Sequence, residues 1–242
     1  MSTMILEGRR AAVESGARQV VGEQRKQAFA SHMRAAESAK GDKSFVTLDG
    51  YASTVGVPYV MYDFFGEYTE QIAASAFDVT LAASPDVAFL LNHTGMTMAR
   101  TTAGTLELSV DEVGLRAVAY LNPLRQDVMD LKHAIDDGNI DQMSFAFRIV
   151  SGRWSEDYTQ YTITEVDLDR GDVSAVNYGA NPDTSISART KQALEGIEHL
   201  TGVPLQIAAA RAAAKLAEAE PEPVTPAGPN RATLEALIEL EN

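Results

Sequence analysis

Between Ser44 and Val176 the chain runs through eight short segments rich in β-branched and aromatic residues, most of them apolar at every second position. They are Ser44–Tyr51, Val57–Tyr62, Val87–Leu91, Thr105–Val110, Leu115–Leu121, Gln142–Val150, Gln160–Leu168 and Val173–Val176. Successive side chains of a strand point to opposite faces, so this alternation marks strands with one buried side. Turn signals separate them at Asp49-Gly50, Ala103-Gly104, Glu112-Val113-Gly114 and Ser151-Gly152. Two helical patterns interrupt the series. One lies near Thr69–Ala83. The other is Pro123–Asp137, with Asn122 as N-cap, Pro123 in the first position and Gly138 as the stop. Many short strands and two helices predict a β-rich α+β fold, a closed or strongly curved antiparallel β-barrel flanked by helices.

Charge divides the chain further. Residues 1–40 carry net +3, residues 41–190 net −13 and residues 191–242 net −4, within a total of −14. The first stretch is rich in Ala, Gln, Glu and Arg without proline, and Val13, Ala17, Val20, Val21 and Ala28 form one weak apolar stripe. It predicts a helical arm that needs something to dock on, because an isolated helix of this kind is marginal in water. Ile207–Glu220 is Ala-rich and helix-prone, Pro221–Pro229 is an extended linker, and Leu234, Leu237 and Ile238 recur at helical spacing. The expected organisation is a basic helical arm (1–43), a main domain (44–190), an Ala-rich helical extension (191–220), a Pro-rich linker (221–230) and a short amphipathic helix (231–242).

Composition removes several functions. The chain has no cysteine, hence no disulfide, thiolate zinc site, iron–sulfur cluster or thiol nucleophile. Its apolar runs are far shorter than the roughly 20 residues that cross a bilayer, and its N-terminus lacks the apolar region of a secretory signal. A net acidic chain is a poor nucleic-acid binder, since phosphate contacts need clustered Lys and Arg. A cytosolic protein with no membrane and no nucleic-acid partner is expected. Phosphate-loop, dinucleotide, H-E-x-x-H and G-x-S-x-G motifs are all missing. The run Asp136–Asp141 resembles a calcium loop but lacks its closing glutamate, so a solvated helix end is expected there.

Four histidines remain: His32, His93, His133 and His199. His133 falls on a solvated helix face among Asp130, Lys132 and Asp136. His93 follows the apolar strand Val87–Leu91 and precedes a glycine turn, where a scaffold presents functional groups. By spacing alone, its plainer role is to cap the strand end. In Gln142–Val150, Met143, Phe145, Phe147 and Ile149 share one face, and Gln142, Ser144, Ala146 and Arg148 the other. Ser144 thus points away from the aromatic core, as any small surface residue can. Glu165, Asp167, Asp169 and Asp172 form an acidic turn feeding a strand, and each could orient an imidazole. A nucleophilic serine needs a base, and the base needs an acceptor that sets its tautomer. Composition does not group these residues.

A resemblance does. Phe45–Ser53 (FVTLDGYAS), Asp63–Phe77 (DFFGEYTEQIAASAF), Leu90–Thr94 (LLNHT), Gly114–Leu121 (GLRAVAYL), Ile135–Phe147 (IDDGNIDQMSFAF) and Glu165–Pro182 (EVDLDRGDVSAVNYGANP) resemble, in this order, the caudoviral prohead protease family. The resemblance spans roughly residues 44–186 and rests on the order of the pieces. It implies the fold of the herpesvirus capsid-maturation proteases, a β-barrel surrounded by helices, and a serine endopeptidase working in the host cytoplasm inside an assembling prohead. Matched residue by residue, His93 is implied as general base and Ser144 as nucleophile. Asp172 falls where the family commonly has glutamate as third member, with Asp167, Asp169 and Glu165 as substitutes. The amides of Tyr178–Pro182 would supply part of an oxyanion hole.

No cofactor and no metal is implied. The implied partners are the major capsid protein and scaffold of the prohead, with a homodimer by analogy. A basic arm and a detachable C-terminal helix would suit encapsidation and self-cleavage. Two rival readings are a non-catalytic internal scaffold with the same fold and a metal-dependent hydrolase using His93 with the acidic cluster.

Overall fold

In the computed structural model, the described residues are 3–16, 20–30, 33–40, 43–63, 65–177, 205, 206 and 209. The chain order is α1 (Thr3–Glu14), β1 (Gln24–Ala30), β2 (Arg34–Lys40), β3 (Lys43–Thr54), β4 (Tyr59–Asp63) and β5 (Gly66–Ile72). A 3-10 turn (Ala74–Phe77) leads into α2 (Asp78–Ala82). There follow β6 (Ala88–Leu91), β7 (Thr94–Arg100), β8 (Leu106–Val110), β9 (Gly114–Leu121), α3 (Gln126–Asp136), β10 (Gln142–Trp154) and β11 (Gln160–Val176).

Two sheets result. The smaller is antiparallel, in the order β2-β3-β9-β8. The larger has seven strands and is mixed: β1-β10-β11-β5-β4 form its main path, and β6 joins β11 while pairing with β7. β11 is long enough to take two parallel neighbours in succession. Its start (Gln160–Ile163) pairs with β5, and its end (Asp172–Ala175) pairs with β6. Alternation drives burial as expected. Val46, Leu48 and Ala52 of β3 and Leu115, Ala117, Ala119 and Leu121 of β9 turn inward, meeting Phe145, Phe147 and Ile149 of β10 in one core with Phe77 and Phe89. β10 and β1 lie against β3, so the two sheets pack on one another.

The predicted barrel is corrected. Closure requires edge strands to pair, but among the described residues β1 pairs with β10 alone and β4 with β5 alone, while the second sheet ends at β2 and β8. The fold is therefore β-rich with two open sheets, few helices and short ones. No helical terminal extension stands apart from the sheets among the described residues. Of the Ala-rich and amphipathic C-terminal helices predicted from the sequence, all but Leu205, Gln206 and Ala209, which are helical, lies outside the described residues.

The basic arm departs most from expectation. Among its described residues only Thr3–Glu14 is helical, and Gln24–Ala30 and Arg34–Lys40 are strands, one in each sheet. Their helix-prone composition is overridden by long-range pairing, for β1 runs a seven-residue ladder along β10. The helix α1 is docked and not free. Arg9, fully buried, pairs with Asp63 through Nε–Oδ2 at 2.9 Å and Nη2–Oδ1 at 3.0 Å. It also donates to the carbonyls of Tyr158, Gly66 and Glu67 and lies over the rings of Tyr68 and Trp154.

The helix expected near Thr69–Ala83 begins only after β5. The buried residues of Gly66–Ile72 alternate, Tyr68, Glu70 and Ile72 facing inward. The buried Glu70 disguises this pattern; it accepts a hydrogen bond from Tyr59 Oη at 2.7 Å. The helix expected at Pro123–Asp137 is present three residues shorter at its start. Asn122 Oδ1 accepts the Leu124 N–H ahead of it, and Gly138 ends it with a positive φ of 74°.

Candidate active site

β11 lies between β10 and β6, and this placement assembles the site. Ser144 on β10 is directly opposite Ser174 on β11, and Ser174 is in turn opposite Leu90 on β6. One residue past Leu91 the chain reverses into β7 through Asn92 and His93, whose φ angles are 53° and 57°. Two consecutive positive φ values make a tight hairpin turn whose twist suits the flanking strands, and asparagine is favoured in it. The turn is tied to the end of β11. Asn92 N–H donates to the Ala175 carbonyl at 2.9 Å, and Asn92 Oδ1 accepts Asn177 N–H at 3.0 Å.

His93 consequently leans over the strands it follows. Its Nε2 is 2.8 Å from Ser144 Oγ and its Nδ1 is 2.6 Å from Asp172 Oδ1. Asp172 sits on β11, two residues before Ser174, so both side chains share a face. Burial pushes the Asp172 carboxyl upward, but hydrogen bonds from His93 and Ser174, aided by the charge of Lys26, outweigh it and hold the group below its ordinary range. An ionised carboxylate has no proton to offer, so His93 Nδ1 is the donor and Nε2 is left as an acceptor facing Ser144.

Ser144 differs from a surface serine. It is only 1% exposed, and its hydroxyl is also 3.0 Å from the Gln27 carbonyl of β1. A hydroxyl carries one proton, so it serves either Gln27 or His93 at a given moment.

The other candidates stand elsewhere. Asp167 pairs with Arg148 and accepts the Asp169 N–H; Asp169 accepts the Asp86 N–H; Glu165 is opposite Ser151. None of the three is bonded to His93. Between Leu168 and Asp172 the strand bulges against β10, with Arg170 at φ 58°, and this turns what reads as an acidic turn into continuous β11. His133 is exposed on α3. His32, His199 and Tyr178–Pro182 lie outside the described residues. Among the described residues no group of three or more His, Asp or Glu is arranged to hold a metal ion, and the Asp136–Asp141 run is a helix end. No helix among them is long and apolar enough to cross a membrane. Sequence reasoning passed over Ser174, Asn92 and Gln27; only Ser174 had a legible signal, its i+2 spacing from Asp172.

A family model described as Caudovirus prohead serine protease matches residues 31–198. The chain belongs to that family. It is thus a serine peptidase of the phage prohead, associated with the assembling capsid in the host cell. No curated protein and no solved structure gave a match.

Proposed function

We propose that the chain is the maturation endopeptidase of its prohead, cutting scaffold and the targeting segment of the major capsid protein, and trimming itself, by acyl transfer through Ser144. The observation that carries this reading is the relay Asp172 Oδ1–His93 Nδ1 and His93 Nε2–Ser144 Oγ, at 2.6 and 2.8 Å, in a chain of the serine protease family.

Each residue then has one task. Asp172 holds the Nδ1–H tautomer and stabilises the imidazolium when it forms. His93 takes the Ser144 proton through Nε2 as Oγ attacks the scissile carbonyl, then delivers that proton to the leaving amine. Water, deprotonated by His93 in turn, attacks the acyl-enzyme ester and releases Ser144. The developing oxyanion needs backbone donors, for which the N–H groups of Tyr178, Gly179, Ala180 and Asn181, directly after Asn177 in the chain, are the proposed source. The reaction also requires the Ser144 hydroxyl to leave the Gln27 carbonyl, and a peptide to reach a serine that is almost fully covered.

The test is co-expression with the cognate capsid protein, followed by mass spectrometry of every chain. Wild type cuts the capsid protein and itself, and Ser144→Ala leaves both intact. Equal products from the two proteins would end the proposal. Native mass spectrometry of the same samples tests the homodimer.

One observation favours a second reading, a scaffold that has kept the fold without the chemistry: the burial of Ser144 under its bond to Gln27. A serine-directed fluorophosphonate separates the two. Labelling at Ser144 that disappears with His93→Ala excludes the inert version.

A further inference from the structure

We propose that Ser174 is a positioning residue for this reaction, locking Asp172 and the His93 turn into the arrangement that presents the imidazole to Ser144. The inference rests on the reading of His93, Ser144 and Asp172 just given.

Ser174 is fully buried, on β11, between the strand that bears Ser144 and the strand that leads to His93. Its hydroxyl donates to Asp172 Oδ1 at 2.6 Å, the same oxygen that takes the His93 Nδ1–H. Its oxygen accepts the backbone N–H of His93 at 3.2 Å. The result is a closed ring. The His93 main chain bonds Ser174, Ser174 bonds Asp172, and Asp172 bonds the His93 side chain. Main chain and imidazole of one residue are thereby referenced to the same carboxylate.

The His93 turn needs such a reference. His93 is a non-glycine residue in the left-handed region, a conformation that persists only where surrounding contacts over-determine it. Asn92 fixes its own half of the turn through Ala175 and Asn177, and Ser174 fixes the other half. A hydroxyl that only satisfied its own polarity would bond the backbone of its strand. Both bonds here go to residues of the relay. The titratable groups that bear on Asp172 are His93, from the β6–β7 turn, and Lys26, from β1. Ser174 adds a neutral donor to that set, favouring the ionised carboxylate.

The test measures the rate of fluorophosphonate labelling at Ser144 across pH in the full chain, with thermal unfolding recorded for each variant. Ser174→Ala is expected to label about ten- to a hundredfold more slowly, the range of one hydrogen bond to a charged group. Its acid limb is expected at higher pH, because Asp172 has lost a donor to its charged form. Ser174→Thr restores most of the rate. Ser174→Cys keeps the volume with a weaker donor and shifts the limb in the same direction as alanine. A wild-type rate and limb for either the alanine or the cysteine variant overturns the proposal, and the cysteine variant decides it where the alanine variant does not fold. Full-rate labelling in His93→Ala and Asp172→Ala would instead overturn the reading of the site, and this inference with it.

Discussion

His93 Nδ1 and Asp172 Oδ1, 79 positions apart in the chain, meet at 2.6 Å because β11 carries the carboxylate alongside the strand that ends at the histidine turn. Asp172→Asn replaces the acceptor by an amide that no longer enforces the Nδ1–H tautomer. Peptidase activity is expected to fall about 10²- to 10⁴-fold with little change in substrate affinity. Asp167→Asn and Asp169→Asn, whose carboxylates serve Arg148 and backbone amides, leave the rate as it is. Steady-state kinetics on the three variants checks this.

The Asp172 carboxyl, held below its ordinary range, also links stability to pH. Above the pH where an unfolded aspartate ionises, the folded carboxylate's bonds to His93 and Ser174 contribute their full stabilisation. That contribution is lost as pH falls through the lower folded-state value. Thermal unfolding between neutral pH and about pH 3 is therefore expected to bring wild type and Asp172→Asn together as the solution is acidified. A gap that widens in acid would contradict the assignment.

Gly171 precedes Asp172 inside the bulge. A Cβ there would lie 2.4 Å from the Ala146 carbonyl oxygen and 3.0 Å from that of Leu168, both backbone atoms. Ala146 is the residue directly opposite Asp172, so relief of the clash moves the carboxylate. Gly171→Ala is expected to destabilise by about 1–3 kcal/mol and to lower activity at temperatures where the protein remains folded. Paired unfolding and activity measurements separate the two effects.

Arg9 and Asp63 make the corresponding stability test away from the site. Arg9→Ala leaves Asp63, 5% exposed, without its cation, together with three carbonyl oxygens without their donor. A loss of about 3–5 kcal/mol is expected in urea unfolding. The Arg9→Ala, Asp63→Ala double variant should lose less than the sum of the single ones. Additive losses would mean that α1 is not anchored through this pair.

Several elements could be read directly from the chain. β3, β8, β9 and β10 announce themselves because large apolar residues recur at every second position and those positions are the more buried ones. α3 announces itself by its turn at Asn122 and its stop at Gly138. β5 did not, because Glu70 occupies one of its inward positions, and β1 did not, because Arg25 and Gln27 are buried. In each case a polar side chain inside the fold erases the local pattern. β7 buries only Met98 and Ala99, two consecutive residues that make no alternating pattern.

The sequence by itself supplied the candidates for the proposed site. Without cysteine, and with four histidines of which one closes an apolar strand, serine and His93 were the chemistry on offer, and the ordered motifs named Ser144 and Asp172 beside them. Only the tertiary structure decided their adjacency. It sets Asp172, and not Asp167, Asp169 or Glu165, beside His93 through a bulge that no residue pattern announces, with Ser174 and the Gln27 carbonyl adjoining. It also decided that the sheets stay open. Alternation states which side of a strand is buried, whereas partners and register are set by hydrogen bonds and burial shared with strands distant in the chain.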